Sequence, residues 1–188
     1  MARPSFTLME MVLVLALIVV LAALTYPPIN EMYAHYRVTA AADQVRARWA
    51  DARAQAVNEG RPYRFAVIRN KGNFRLAPDG PEFWSGNGSS PEGALVVEDA
   101  LPRGIRFALG EAGEDLTSDT VLPVDGISPD MWTGVVTFLP DGSATALDGS
   151  DANEVRITFQ ARHAAPLQLR LRTLTGTVTV QSLPEVNR

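Results

Sequence analysis

Apolar residues follow three different patterns along this chain, and each predicts a different kind of element. Residues 11–24 read MVLVLALIVVLAAL without one polar side chain, and residues 6–26 extend the run across a single charge, Glu10. About 20 mostly apolar residues suffice for a helix to cross the hydrocarbon core of a bilayer. The run therefore predicts a transmembrane helix over residues 6–28, with Tyr26 where an interfacial aromatic belongs. Pro27 and Pro28 remove two backbone donors, and Pro28 also disfavours the α region for Pro27, so a kink or break is expected there. From 29 to 58 there is no proline or glycine, and Val38, Ala41, Ala42, Val45, Trp49, Ala52 and Ala56 recur at spacings of three and four. That periodicity predicts an amphipathic stalk helix over 29–60, with Asp43, Arg46 and Arg53 on much of its other side. Trp49 falls inside the stripe and reads as a core anchor against a sheet. Gly60 suits the helix C-cap and Pro62 stops continuation. A continuous helix from 6 to 58 would be about 80 Å long at ~1.5 Å per residue.

Beyond Gly60 the period shifts to two. Residues 63–68 and 74–76 flank an Asn70-Lys71-Gly72-Asn73 turn and read as a hairpin. Residues 135–139, 155–159, 167–171 and 177–180 read as further strands, with Pro140-Asp141-Gly142 as one turn between them. The expected fold class is thus α+β: a long N-terminal helix, its first half in the membrane, its second half packed on an antiparallel β-sheet head over 61–188. Leu169 and Leu171 alternate with Arg170 and Arg172, so one sheet face is expected to be wet and arginine-rich. Residues 79–130 lack periodicity apart from short strands at 95–97 and 105–109. They hold eleven acidic residues against Arg103 and Arg106, a local charge of −9. Solvated loops are the plainer account of that stretch. A partner-facing surface anchored by Phe83, Trp84, Met131 and Trp132 is the sharper one.

Charge and chemistry narrow the function classes. Seventeen basic and 21 acidic residues give a net charge of −4, which offers a polyanion no general attraction, so no nucleic acid is expected as a partner. The 188 residues contain no cysteine and two histidines, His35 and His163, so disulfides, thiolate metal sites and a cysteine nucleophile are excluded. No nucleophile elbow, zincin helix, phosphate loop or dinucleotide fingerprint is present. The chain reads as a non-enzyme with no cofactor and no small-molecule substrate. Asp148, Asp151, Asn153 and Glu154 cluster in one turn and carry oxygens of the kind calcium takes, but turns favour the same residue types for backbone reasons.

Glu10 is the unusual residue, because an ionisable group inside a membrane segment is costly and points by default to function. In a first helical turn its carboxylate would sit favourably against exposed N–H groups and the positive end of the dipole. A protonated or snorkelling side chain at the membrane edge is the plainer alternative. Ser5-Phe6-Thr7-Leu8-Met9-Glu10 followed by an apolar run resembles the class III signal of type IV pilins and pseudopilins. That resemblance implies cleavage by a prepilin peptidase between Ser5 and Phe6, removal of a leader over 1–5, and N-methylation of Phe6. Serine stands where the family usually has glycine. Pro27 falls where many members carry a helix-kinking proline. The resemblance further implies that Glu10 sets register in a filament by pairing with a neighbour's Phe6 amine.

Residues 138–143, Phe-Leu-Pro-Asp-Gly-Ser, and 175–178, Thr-Gly-Thr-Val, are similar to a recurring hairpin and terminal strand of H-type minor pseudopilins and FimT-like minor pilins, the GspH/FimT family. By that resemblance the chain is a subunit of the pseudopilus of a type II secretion system. It would be anchored once in the bacterial inner membrane with its head in the periplasm, with other pseudopilins or pilins as partners through the N-terminal helix. A minor pilin of a type IV pilus or DNA-uptake filament is the near alternative. An exported β-domain, binding protein or enzyme, with an ordinary anchor or a signal peptide cut after Val20-Leu21-Ala22, is the alternative of another class. It predicts a deep apolar pocket with convergent polar groups, whereas the pilin-like reading predicts that the helical stripe is buried in the head.

Overall fold

The computed structural model describes residues 7–84, 93–108, 121–123, 127–147, 153–162 and 164–184, the side chains of 24–32 excepted. One helix, α1 (Leu8–Glu59), runs for 52 residues. Thr7 caps its start, its Oγ1 accepting from the Glu10 amide at 3.2 Å, which satisfies one of the donors a helix leaves open at its first turn. Gly60 ends it in the left-handed conformation at φ 66°, where a side chain would be strained. Between these ends the helix continues through Pro27 and Pro28 without interruption. The break that the prolines allowed does not divide the element. Two prolines cost two N–H bonds, while the turns on either side keep their own ladders.

The head is antiparallel, as expected, and its described strands form two sheets. The first has the order β3-β2-β1-β5-β6, built from β1 (Tyr63–Ile68), β2 (Asn73–Pro78), β3 (Val97–Ala100), β5 (Trp132–Phe138) and β6 (Ala144–Ala146). The second has the order β4-β7-β8-β9, from β4 (Ile105–Ala108), β7 (Glu154–Ala161), β8 (Ala164–Arg172) and β9 (Val178–Ser182). The expected 63–76 hairpin forms in register, with Phe65 opposite Leu76, and Asn70 supplies the turn at φ 58°. In the acidic stretch β4 falls close to its expected place. Strand β3 begins at Val97, later than expected, because Glu98 and Asp99 carry it along β2 and meet Arg75 and Arg48.

Helix α1 packs on both sheets, most extensively on β8. Val38, Ala41, Ala42, Val45, Trp49, Ala52 and Ala56 are all buried, so the predicted stripe is the helix's contribution to the core. The Trp49 ring meets Phe65 edge-on at 5.9 Å and 87°, and lies 6.4 Å from Phe138. Phe65 and Phe74 then contact Phe107, which contacts Phe159 at 5.6 Å. This aromatic chain joins helix, first sheet and second sheet into one core, each pair contributing about 0.5–1.5 kcal/mol beyond its buried area. Leu169 and Leu171 point inward and are buried, while Arg170 and Arg172 point outward as their alternation requires.

Candidate assembly surface

The two ends of α1 have opposite surroundings. Among residues 8–23 every side chain is exposed, from Leu8 at 83% to Val14 at 43% among the large apolar ones, although all but Glu10 are apolar. From Val38 to Ala56 the apolar positions are sealed against the head. Isolated exposed apolar residues are ordinary, but a contiguous apolar surface of several helical turns marks an interaction surface. Glu10 is exposed in the first turn, with its amide bonded to the Thr7 hydroxyl and 3.1 Å from the Thr7 carbonyl. Its carboxylate thus sits at the positive end of the helix dipole. Among the described residues no helix is long and apolar enough to cross a membrane, and the apolar side chains described end at residue 23.

The other residues singled out from the sequence are scattered. Ser5 and Phe6 lie outside the described residues, as do the side chains of Pro27 and Pro28. Of the four turn residues considered for calcium, Asp148 and Asp151 also lie outside them. The Glu154 carboxylate is engaged by Arg156 at 3.3 Å and Arg170 at 3.5 Å, so it faces cations of the protein's own, and the Asn153 carbonyl accepts from the Thr173 amide. No cluster of three metal-ligating side chains occurs among the described residues. His35 is exposed on the helix, and His163 lies outside the described residues.

The aromatic anchors expected on a partner-facing surface are largely committed within the head. Phe83 is buried, at 2% exposure, in the short helix α2 (Pro81–Trp84). Trp84 is held between the Arg64 and Arg75 guanidiniums, 5.2 and 5.4 Å from its ring, and its indole donates to the Pro78 carbonyl at 2.9 Å. Both arginines are ion-paired in turn, Arg64 with Asp79 and Arg75 with Glu98. An acidic residue beside an aromatic in this stretch is thus an intramolecular clasp, and only Met131 of the four anchors is exposed.

A second cluster fixes the end of α1 to the head. The Glu59 carboxylate accepts from Arg61 Nε at 2.6 Å and from the Tyr63 hydroxyl at 2.9 Å, and Tyr63 also accepts from the Leu95 amide. The Glu59 hydrogen bond raises the Arg61 pKa, and burial first, then Glu59, raises that of Tyr63. At the 138–143 hairpin, Asp141 Oδ1 accepts from the Ser143 hydroxyl at 2.6 Å and the Ser143 amide at 2.9 Å, which lowers its pKa.

One concave feature went unread in the sequence. A groove of about 490 Å³ runs beside the distal part of α1, where Arg46, Trp49, Arg53 and Val57 face Phe138 and Val178. Among the described residues it is lined mainly by apolar side chains, and its charged groups are the two arginines on one helix side. The exported binding protein or enzyme predicts a deep apolar pocket with convergent polar groups, and the pilin-like reading predicts a helical stripe buried in the head; the stripe on α1 is buried.

No family model matches the sequence, and no curated protein matches it. Among solved structures, the minor pseudopilin EpsH from the type 2 secretion system of Vibrio cholerae is similar over 78% of this chain and 97% of its own, with 10% sequence identity and a TM-score of 0.46.

Proposed function

We propose that this chain is a minor pseudopilin, a structural subunit of the pseudopilus of a type II protein secretion system. Its observational support is the continuity of α1: one helix carries an exposed apolar half and a half built into the core of the head. A subunit of this form inserts residues 6–28 in the inner membrane, keeps the head in the periplasm, and passes into a filament by exchanging lipid contacts for contacts with neighbouring helices. Close packing of apolar helices, with the few polar groups satisfied between them, supplies the cohesion. Glu10 sets the longitudinal register by pairing with the amine of Phe6 of the adjacent subunit, once prepilin peptidase has cut after Ser5. Burying either charge alone in a bilayer is costly, so the pair forms only at one stagger. The function is mechanical and needs no catalytic group.

The absence of cysteine makes a direct test simple. Single variants Leu13→Cys, Leu17→Cys and Ala40→Cys are expressed in the native host and oxidised in the membrane. Ladders of cross-linked species bearing this chain are expected for Leu13→Cys and Leu17→Cys paired with cysteine variants of neighbouring pilin-like subunits. Monomer only at every tested helix pair would refute filament packing.

A further inference from the structure

Among the described residues the outer edge of β9 is unpaired and forms a single surface with the groove beside it, and we infer that this surface receives an extended segment of a partner protein by strand addition. The segment has apolar residues at alternate positions and carboxylates beside them. The four sheet edges differ in how they are protected. Strand β3 carries Glu98 and Asp99, β6 has three residues, and β4 has four with Arg106 among them. Charges and shortness of this kind discourage a further strand. Strand β9, Val-Thr-Val-Gln-Ser, has no charge, no proline and no register shift against β8, and its last four residues are exposed.

The ladder with β8 fixes which backbone groups face outward. Arg172 donates to the Thr177 carbonyl at 3.0 Å and Leu183 to the Pro166 carbonyl at 2.8 Å, in a continuous antiparallel register. Alternation then assigns Thr177, Thr179, Gln181 and Leu183 to β8, and leaves the N–H and C=O of Val178, Val180 and Ser182 pointing to the open side. Val178 and Val180 stand opposite Leu171 and Leu169, so their side chains share the sheet face that α1 covers. Helix α1 does not reach across β9: Val180 is 45% exposed on that face. A strand added outside β9 would pair with Val178 and Val180 and direct alternate side chains to the same face, toward the groove.

Charge selects the occupant. Arg46 and Arg53 line the groove, and neither makes an ion pair among the described residues, while Arg48, Arg61, Arg64, Arg75, Arg156 and Arg170 all do. The Arg53 guanidinium lies against Gly176 in the turn before β9, in space that a side chain there would fill. An apolar groove with two uncompensated guanidiniums beside open backbone donors and acceptors matches an acidic, alternately apolar strand.

The test uses the full chain in detergent micelles with the peptide acetyl-Asp-Val-Thr-Val-Thr-Val-Asp-amide as probe. Amide exchange at Val178, Val180 and Ser182 is expected to slow by about tenfold at millimolar peptide. A peptide with Lys for both Asp residues should give no slowing. Arg53→Glu should abolish protection by the acidic peptide and confer it with the lysine peptide. Val180→Pro, which removes an N–H that β8 does not use, should leave the fold intact and abolish binding. Unchanged exchange at saturating acidic peptide overturns the inference. So does equal protection by both peptides, or protection that rises with protein concentration alone, which assigns the edge to a second copy. Membrane insertion and filament packing do not enter the readout, so its failure leaves the pseudopilin reading standing.

Discussion

Residues 8–23 and 38–56 belong to one helix and are both rich in apolar side chains, yet the first set faces outward all round and the second presents a single buried stripe. The difference is in the pattern. In the distal half, apolar positions return every three or four residues and polar ones occupy the remainder, so one face can dock on a sheet while the other stays wet. In the proximal half, apolar residues occupy every face, and a single head could cover only one of them. Such a helix requires an apolar environment on all sides, supplied by lipid or by several neighbours. The head covers the distal half only, and the described side chains of the proximal half have no cover within the chain.

That contrast is sharpest for paired truncations. Trp49→Ala removes the side chain that joins α1 to both Phe65 and Phe138, and is expected to destabilise the head by about 3–5 kcal/mol. Leu15→Ala is expected to change it by less than ~0.5 kcal/mol. Denaturant unfolding of the full chain in detergent, followed by tryptophan fluorescence, measures both. Equal effects would break the division of the helix. Glu10→Leu should leave insertion and head stability intact and reduce incorporation into sheared filaments by about tenfold, a loss of ~1.4 kcal/mol in pairing free energy. Incorporation at the wild-type level would remove the register role.

Smaller effects probe the junction between helix and head. Gly60 has open space around its α-carbon but a φ of 66°, so Gly60→Ala is expected to cost about 1 kcal/mol through backbone strain alone. Tyr63→Phe should cost a similar or smaller amount, about 1 kcal/mol, by removing the bond to Glu59. Tyr63 adds a pH signature, because its pKa is raised in the folded state. The protonated phenol is therefore favoured by folding. Its contribution is complete below the ordinary tyrosine pKa near ~10 and is lost as pH rises through the higher folded value. Urea midpoints at pH 8 and pH 11 should converge between wild type and Tyr63→Phe. A constant gap would mean that Tyr63 does not titrate differently in the fold.

What the sequence made legible was what periodicity can carry. The stripe from Val38 to Ala56, the first hairpin and the inward Leu169 and Leu171 follow from spacings of 3.6 or two, and the Gly60 cap from the residue type that best tolerates its backbone. The division of the strands between two sheets did not, since it depends on pairings such as β1 with β5 across the whole acidic stretch. Strand β6 has three residues, too few for any period to register. The clasp around Trp84 was not legible because its two cations, Arg64 and Arg75, lie in separate strands. The groove stayed hidden for the same reason: its walls come from residues near 50, 138 and 175, which no local window joins. The N-terminal signal was legible as a resemblance, with Ser5 and Phe6 beyond the described residues.

The central claim is that the apolar half of α1 is retained in the mature protein as an assembly element. N-terminal peptide mass spectrometry on protein recovered from its native membrane tests it most directly. The account predicts a mature chain beginning with N-methylated Phe6. A chain beginning at Ala23 contradicts it, and one with residues 1–5 still attached removes the cleavage after Ser5 while keeping the helix.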